Sequence, residues 1–355
     1  MRVLVTGGGG FIGSVVVRHS VREITNLNID KLTHAATPKA LEDAPESGLY
    51  EFLRADICDV VAVARAFDEF APDAVMHLAA ESHEDRSIDG PLAFIHTNLV
   101  GTSVVLEAAR AYWSKLSAQR RRLFGFHYIS TDEVFGSFNT ADPCLTEETP
   151  CRPRSPYSAS KVGSDHLVCA WGETYGLSIV VTNCSNNYGP WQFPEKLIPF
   201  MILNAHEGKP LPVYGESANI RDWLYVEDYA RALWQVLLRG RAGETYNIGS
   251  DAERRNIDVV KAICALLDER FPDDAPHEHL IQFVVDRPGH DLRYAIDGAK
   301  RSQELGWTPS VDLETSLAAP VDLYVANEGW WHRGRASEYD GGRLGLLDES
   351  RRAAG

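Results

Sequence analysis

The stretch Arg2–Gly13, RVLVTGGGGFIG, decides the fold. Five residues rich in valine and leucine predict a short buried strand. Gly7, Gly10 and Gly13 follow at once in a G-x-x-G-x-x-G pattern, and the residues after Phe11 open a helical segment. Glycines let the chain turn tightly and approach a pyrophosphate, whose charge is met by the helix N-terminus. Three glycines alone mark many turns; a strand before them and a helix after them make the dinucleotide reading the better one. The next apolar run, NLNID, ends in Asp30, about 20 residues beyond the glycines, where an acid hydrogen-bonds ribose hydroxyls and repels a 2′-phosphate. NAD is therefore expected rather than NADP.

Working outward, short apolar runs alternate with helical patterns: YEFLRADI, DAVMHLAA, FGFHYIS and LSIVVTNC. This rhythm predicts an α/β fold, a Rossmann-type doubly wound parallel sheet. DVVAVARAFDEF, capped by Asp59, and LAFIHTNLVGTSVVLEAARAYW carry apolar residues at helical spacing and are expected to cover the sheet. Asp56 and Ile57, at the end of a strand, flank the adenine in one reading; in the other, Asp56 caps a helix. Beyond about residue 185 the pattern breaks into Pro- and Gly-punctuated segments, expected to build a smaller mixed α/β substrate lobe. The division is 1–185 for the NAD-binding domain, joined by a returning segment 222–249, and 186–355 less that segment for the nucleotide-sugar lobe. DWLYVEDYARALWQVLLRG followed by GETYNIGS gives the returning strand, helix and strand. Pro320, inside an otherwise helical run, predicts a kink or an early helix end.

The chain of 355 residues is 44% hydrophobic and 24% charged, with 35 basic and 50 acidic residues and a net charge of −15. That balance disfavours nucleic acid and anionic membranes as partners, so an anionic ligand needs a local basic cluster. No apolar run approaches the roughly 20 residues that span a bilayer. The chain goes straight into a strand, without the basic head or small-residue cleavage site of a signal peptide, so the cytoplasm is expected. Six cysteines, Cys58, Cys144, Cys151, Cys169, Cys184 and Cys264, have no zinc-type spacing; free thiols and no metal site are expected.

Two further stretches carry chemistry. In SPYSASKVG, Tyr157 and Lys161 are four residues apart on one helical face, and an adjacent ammonium favours the phenolate. In ISTDEVFG, Asp132 and Glu133 stand side by side where the strand FGFHYIS ends. Neighbours on a strand point to opposite faces, so both acids serve one cavity only if the chain has turned. The alternative is a solvated loop tip.

With these motifs and LAAESHEDRSI, TNCSNNYGP, FPEKLIPFMI, IRDWLYVEDYARAL and DRPGHDLRYAID, the chain resembles the extended short-chain dehydrogenase/reductases. Within them it is similar to the dTDP-glucose 4,6-dehydratases over nearly its whole length. The glycine and Tyr/Lys motifs define only the superfamily; Thr131–Glu133 and DRPGHD point to the dehydratase. The resemblance implies that Tyr157 takes the proton of the sugar 4-hydroxyl as the C4 hydride passes to NAD. Lys161 then lowers the phenol pKa and holds the nicotinamide ribose, and Thr131 hydrogen-bonds the same oxygen. Glu133 removes the C5 proton, and protonated Asp132 helps the C6 hydroxyl leave as water. Crowding of the two acids, Asp132 and Glu133, in one desolvated cleft is the expected reason for a raised pKa.

The resemblance further places NAD against Phe11, Ile12, Lys31, Thr33, Leu78, Ala79 and Ala80. Ser82 and Asn186 would touch the sugar. Lys196, with its neighbours Glu195 and Leu197, and Arg221, Asn256, Arg287 and Arg293 would hold the diphosphate, the lesser alternative for any one cation being a solvated surface charge. Pro212, Tyr214 and His290 would surround the nucleotide, and His83 would be a structural hydrogen-bonder. A homodimer through two long helices per subunit is implied. The chain departs from the family at Phe135, where tyrosine is usual, and at HAAT from His34, where Tyr-Ala-Gly-Asn is usual. Other readings are an NAD-dependent nucleotide-sugar epimerase, decarboxylase or different dehydratase, or a non-catalytic nucleotide-sugar binder. An epimerase has no use for the Asp-Glu pair, and a binder none for a base.

Overall fold

A computed structural model describes residues 1–215, 219–286 and 289–337. Six of its strands follow the expected alternation: β1 (Arg2–Thr6), β2 (Thr25–Asp30), β3 (Tyr50–Arg54), β4 (Ala74–His77), β5 (Gly125–Thr131) and β6 (Ile179–Cys184). With β10 (Thr245–Ile248) they form a parallel sheet in the order β10-β6-β5-β4-β1-β2-β3. Strand order reverses at β1, which pairs with β2 on one side and β4 on the other, Thr6 lying opposite both Ile29 and His77. A crevice at the carboxyl ends of the strands is where such sheets bind ligands.

Both faces of the sheet are buried because residues on a strand alternate. Val3 and Val5 face one core with Val15, Val16, Tyr229 and Leu233, and Leu4 faces the other with Phe67, Val105, Leu106 and Phe126. Asp59 caps the helix Val60–Phe70 by accepting from the amides of Val61 and Ala62, worth about 1 kcal/mol. The helix Pro91–Lys115 packs on it through Val105, Leu106 and Ala109 and widens to π-type turns over Ile95–Gly101. This helix is long and apolar enough to cross a membrane, which the run-by-run reading of the sequence missed, although 44% of its most apolar window is buried within the protein.

A third core, away from the large sheet, gathers Tyr188, Ile198, Met201, Ile202, Val213, Val260 and Ile263. Two small sheets border it: β7 (Asn186–Tyr188), β9 (Ile220–Tyr225) and β11 (Glu253–Arg255) form one, and β8 (Leu211–Tyr214) and β12 (Ile281–Val284) the other. The returning segment is thus divided. Its first strand, β9, stays in the small sheet; the helix Val226–Arg239 packs against the helix Phe11–Ser20, with Trp234 Nε1 donating to Val16 O at 3.0 Å, and β10 completes the large sheet. The helix expected around Pro320 breaks at Leu317, between Leu313–Ser316 and Ala318–Ala326. Pro320 falls in the first turn of the second piece, where a missing N–H costs nothing.

Candidate active site

Each strand of the large sheet delivers its functional residue at the carboxyl end. After β1, Gly7 adopts φ +74, and a Cβ there would sit 2.6 Å from Ala79 N. A Cβ on Gly13 would lie 2.1 Å from Gly7 O, so only glycine lets the helix Phe11–Ser20 approach the loop. Gly10 meets nothing closer than Gly7 O at 3.3 Å and opens the helix with no side-chain cap. Asp30 steadies the loop: Oδ2 accepts from Gly9 N at 2.8 Å and Oδ1 from Leu32 N at 2.7 Å. A carboxylate oxygen has lone pairs beyond one bond, and Asp30 faces the cavity.

That cavity, about 290 Å³, is walled by Gly7, Gly10, Phe11, Ile12 and Gly13, by Asp30, Lys31 and Thr33, and by Ile57, Leu78, Ala79 and Ala80. The uncapped helix start, the open Gly10 and the acid at the end of β2 fit NAD. Asp56 is the exception among the expected cofactor contacts. It neither faces the cavity nor caps a helix: Oδ1 accepts from Cys58 N at 2.9 Å, Oδ2 lies 3.5 Å from Lys31 Nζ, and Ala55 and Ile57 form the wall instead.

At the far end of the same cavity stand Thr131, Asp132, Glu133, Tyr157 and Lys161. β5 ends at Thr131 and the chain tightens at once into a 3-10 turn, Asp132–Phe135, whose first amides are capped by Thr131 Oγ1 accepting from Glu133 N at 3.3 Å. This turn lets two adjacent acids face one space. Tyr157 occupies the first turn of the helix Pro156–Tyr175, which Ser155 and Ser158 start with a reciprocal capping box and Pro156 with a preset φ. Lys161 follows one turn later on the same face.

The electrostatics correct two expectations. Burial pushes the Asp132 carboxyl up to about 8, and the charge that adds to burial is Asp222 on β9, with Arg221 and Thr131 opposing it. The crowding partner is therefore a strand from the other lobe, not the neighbouring Glu133. Lys161, meanwhile, does not point its bonds at Tyr157: Nζ donates to Tyr128 OH at 2.6 Å and to Ile129 O at 2.8 Å. Burial, and then the Glu133 charge, hold the Tyr157 phenol well above its ordinary value.

A second cavity of about 230 Å³ adjoins the first, and Ser82, Glu133, Asn186, Glu195 and Lys196 line both. Leu197, Pro212, Tyr214, Arg221, Asn256 and His290 continue its wall. Glu133 thus stands where the cofactor space meets the substrate space. Lys196 Nζ donates to Ser82 O at 2.7 Å, and Arg221 donates to the carbonyls of Ile220 and Asp291 at 2.8 and 2.9 Å while covering the Tyr294 ring. Asn256 Oδ1 and Asn186 Oδ1 are buried without a hydrogen-bond partner. Arg293 does not line either cavity. Its irregular pairing with Phe138 and Ile220 aims the guanidinium at Glu253, to which Nε and Nη2 each donate at 2.6 Å. Arg287 lies outside the described residues.

Glu195 is held inside the protein. Burial alone would raise it, but His34, His83 and Lys196 outweigh that and bring it down to about 2. Oε2 accepts from Arg86 Nε at 2.8 Å, and His34 Nε2 lies 3.4 Å from Oε1. The divergent HAAT stretch thereby ties the cofactor loop to the substrate loop. Phe135, the other departure, is 2% exposed among Val134, Leu145 and Ile296, a pocket without need of a hydroxyl. His83 caps the helix Glu84–Asp89, as a structural residue does. Sequence reasoning missed Asp222 and Tyr128; no local spacing signals either, because each reaches the site through tertiary pairing.

A family model described as GDP-mannose 4,6 dehydratase matches residues 4–319. A dTDP-glucose 4,6-dehydratase of Escherichia coli is 55% identical over 98% of this chain and 100% of its own length, and one of Neisseria meningitidis is 55% identical over 97% and 99%. Among solved structures, DesIV, a dTDP-glucose 4,6-dehydratase of Streptomyces venezuelae with NAD and TYD bound, superposes with a TM-score of 0.85 at 39% identity, covering 94% of this chain and 100% of that one. A UDP-glucose 4-epimerase of Thermus thermophilus in complex with NAD superposes with a TM-score of 0.81 at 29% identity, covering 92% and 100%.

Proposed function

The chain belongs to the GDP-mannose 4,6 dehydratase family, and from that premise we propose that it carries out the NAD-dependent 4,6-dehydration of dTDP-glucose to dTDP-4-keto-6-deoxyglucose. Its curated relatives at 55% identity carry the dTDP-glucose name. One observation supports elimination over epimerisation: Asp132 and Glu133 line the same cavity as Tyr157 and Lys161. A shared fold does not decide the point, since the 4-epimerase superposes almost as well.

NAD, when bound, supplies a reversible two-electron acceptor. Tyr157 would receive the proton of the sugar 4-hydroxyl, whose oxygen Thr131 Oγ1 steadies, in the phenolate form that the Lys161 ammonium and the positive nicotinamide of bound NAD would favour against the effect of burial. Oxidation at C4 acidifies the C5 proton, which Glu133, at the junction of the two cavities, removes. Asp132, with a pKa of about 8, is protonated at neutral pH and supplies the proton with which the C6 oxygen leaves as water. Ser82 and Asn186 orient the sugar; Lys196, Arg221 and Asn256 hold the diphosphate; Pro212, Tyr214 and His290 border the nucleotide.

The chain works as a homodimer in this proposal, through the helices Pro91–Lys115 and Pro156–Tyr175, which pack on one another; the first leaves Leu92, Ile95 and Val100 exposed. A cytoplasmic location agrees with its six free cysteines. Incubation with dTDP-glucose tests the activity: a 4-keto-6-deoxy product, read by its absorbance in alkali, is expected. Retained binding without product overturns the reading.

A further inference from the structure

The ammonium of Lys161 is buried, and it donates to two neighbouring residues of β5: Tyr128 OH at 2.6 Å and Ile129 O at 2.8 Å. The same ammonium lies 4.3 Å from the centre of the Tyr128 ring. An ammonium has three N–H donors at tetrahedral angles, so fixing two fixes the direction of the third. Lys161 itself faces the cavity, whereas Tyr128 does not.

Tyr128 is held in turn. It is 1% exposed, its ring stands 5.5 Å from that of His77, and the hydroxyls of Ser164 and Thr102 lie near its own. Thr102 Oγ1 is 2.9 Å from His77 Nε2, and His77 Nδ1 is 2.6 Å from Thr6 Oγ1, which accepts from Ala79 N at 3.2 Å. Thr6, His77 and Thr102 thus form a buried hydrogen-bonded row from the glycine-loop strand toward Tyr128. Burial lowers His77 to about 3, so the imidazole stays neutral, and burial keeps the Tyr128 phenol protonated. No member of this row changes charge at working pH, and the row serves as a fixed support.

We propose that Tyr128 is a positioning residue for the oxidation step: with Ile129 O it takes two donors of Lys161 and aims the third into the cavity, toward Tyr157 and the cofactor ribose. The inference rests on the reading of Tyr157 and Lys161 given above. It also accounts for the division of labour between two tyrosines that share one lysine. Tyr157 faces the cavity and exchanges protons with substrate; Tyr128, behind the lysine, accepts a hydrogen bond and never ionises.

Tyr128→Phe removes one hydroxyl and keeps the ring. The primary readout is the titration of Lys161 by NMR of nitrogen-labelled lysine, assigned by the signal missing in Lys161→Met; it needs no substrate. Burial lowers Lys161 to about 8 in the intact protein, opposed by the charge of the buried Asp165 carboxyl one turn further along the helix, which both variants retain. Loss of an acceptor that favours the ammonium is expected to lower it by a further unit or so, about ten-fold in the proton equilibrium. Because the ammonium is the active form, the alkaline limb of kcat against pH is expected to move down correspondingly, with KM for dTDP-glucose unchanged. An unshifted Lys161 titration in a folded variant overturns the proposal even if activity falls. An intact protein that fails to convert dTDP-glucose but shows the Lys161 shift overturns the proposed reaction instead. Should Tyr128→Phe not fold, a fluorinated tyrosine at 128, a weaker acceptor of the same shape, is expected to give a smaller shift in the same direction; no shift there overturns the proposal.

Discussion

Replacing Asp222 by asparagine tests the origin of the Asp132 proton. Asp222 sits on β9, outside the large sheet, and accepts from Ser250 N at 2.8 Å and Ala252 N at 3.1 Å, and from Ser250 Oγ. It is buried, and its charge is the largest influence after burial in raising Asp132 to about 8. A charge in close reach of a buried carboxyl shifts it by about 1 to 3 units. Taking about 1 unit, Asp222→Asn brings the Asp132 midpoint to about 7. At pH 8 the protonated fraction then falls from about one half to about one tenth, a roughly five-fold loss of elimination, while below pH 6 the two proteins differ little. The assay is the rate of 4-keto-6-deoxy product formation across about pH 5 to 10, about two units either side of the midpoints. Two controls accompany it. Ser250→Ala removes a hydrogen bond to Asp222 without removing the charge, and should leave the alkaline limb in place. Asp132→Asn has no proton to lose and should be slow at every pH. An alkaline limb that stays at its original midpoint in Asp222→Asn refutes the argument, as does an equal shift in Ser250→Ala.

The same buried acid bears on stability. A carboxyl raised from 3.8 to about 8 keeps its proton in the folded state while the unfolded chain loses it, so its contribution is full below about 3.8 and is lost as pH rises to about 8. Asp132→Asn should therefore stabilise the fold more at pH 8 than at pH 4.5, by on the order of a few kcal/mol of unfolding free energy; equal stabilisation at both pH values would contradict the burial argument. Tyr157→Phe should lower kcat by about 10²- to 10⁴-fold while NAD remains bound, as measured by cofactor released on denaturation. Glu133→Gln should permit oxidation at C4 yet stop exchange of the C5 proton, and deuterium from solvent entering C5 at an undiminished rate would count against Glu133 as the base. Gly13→Ala, whose Cβ would overlap Gly7 O, should lose bound NAD and melt lower, whereas Gly10→Ala should fold and hold NAD more weakly.

The parts of this molecule that could be read from sequence share one property: their partners are near in the chain or follow from the period of an element. The strand-glycine-helix unit, the Asp59 cap and the Tyr157–Lys161 face are of that kind. So is the placement of Asp132 and Glu133, because a strand that ends in Ser-Thr before two acids must turn to use both. Arg221 and Arg293 look alike as motif cations, but one reaches the substrate cavity and the other is taken by Glu253, a choice made by the pairing of β9 with β11 and a bridge to Phe138. Asp56 was equally open to an adenine or a capping role; it caps no helix, and a local turn at Cys58 takes Oδ1. Asp222 and Tyr128 gave no signal. Their effect on the site arises only when a second lobe closes over β5, or when a helix lays its lysine across a strand end.

The outermost position of β10 in the large sheet has a consequence for the birth of the protein. β6 ends at Cys184 and its partner begins at Thr245, about 60 residues later in the chain. At roughly 5 to 20 residues per second, a nascent chain spends several seconds with six strands assembled and the β6 edge bare. That edge carries Ile179, Val180 and Val181, the kind of apolar strand that adds itself to a neighbouring chain. Translation pauses between Cys184 and Thr245 should thus raise aggregation more than pauses after Ile248, because the same strand that finishes the sheet is the one that seals it.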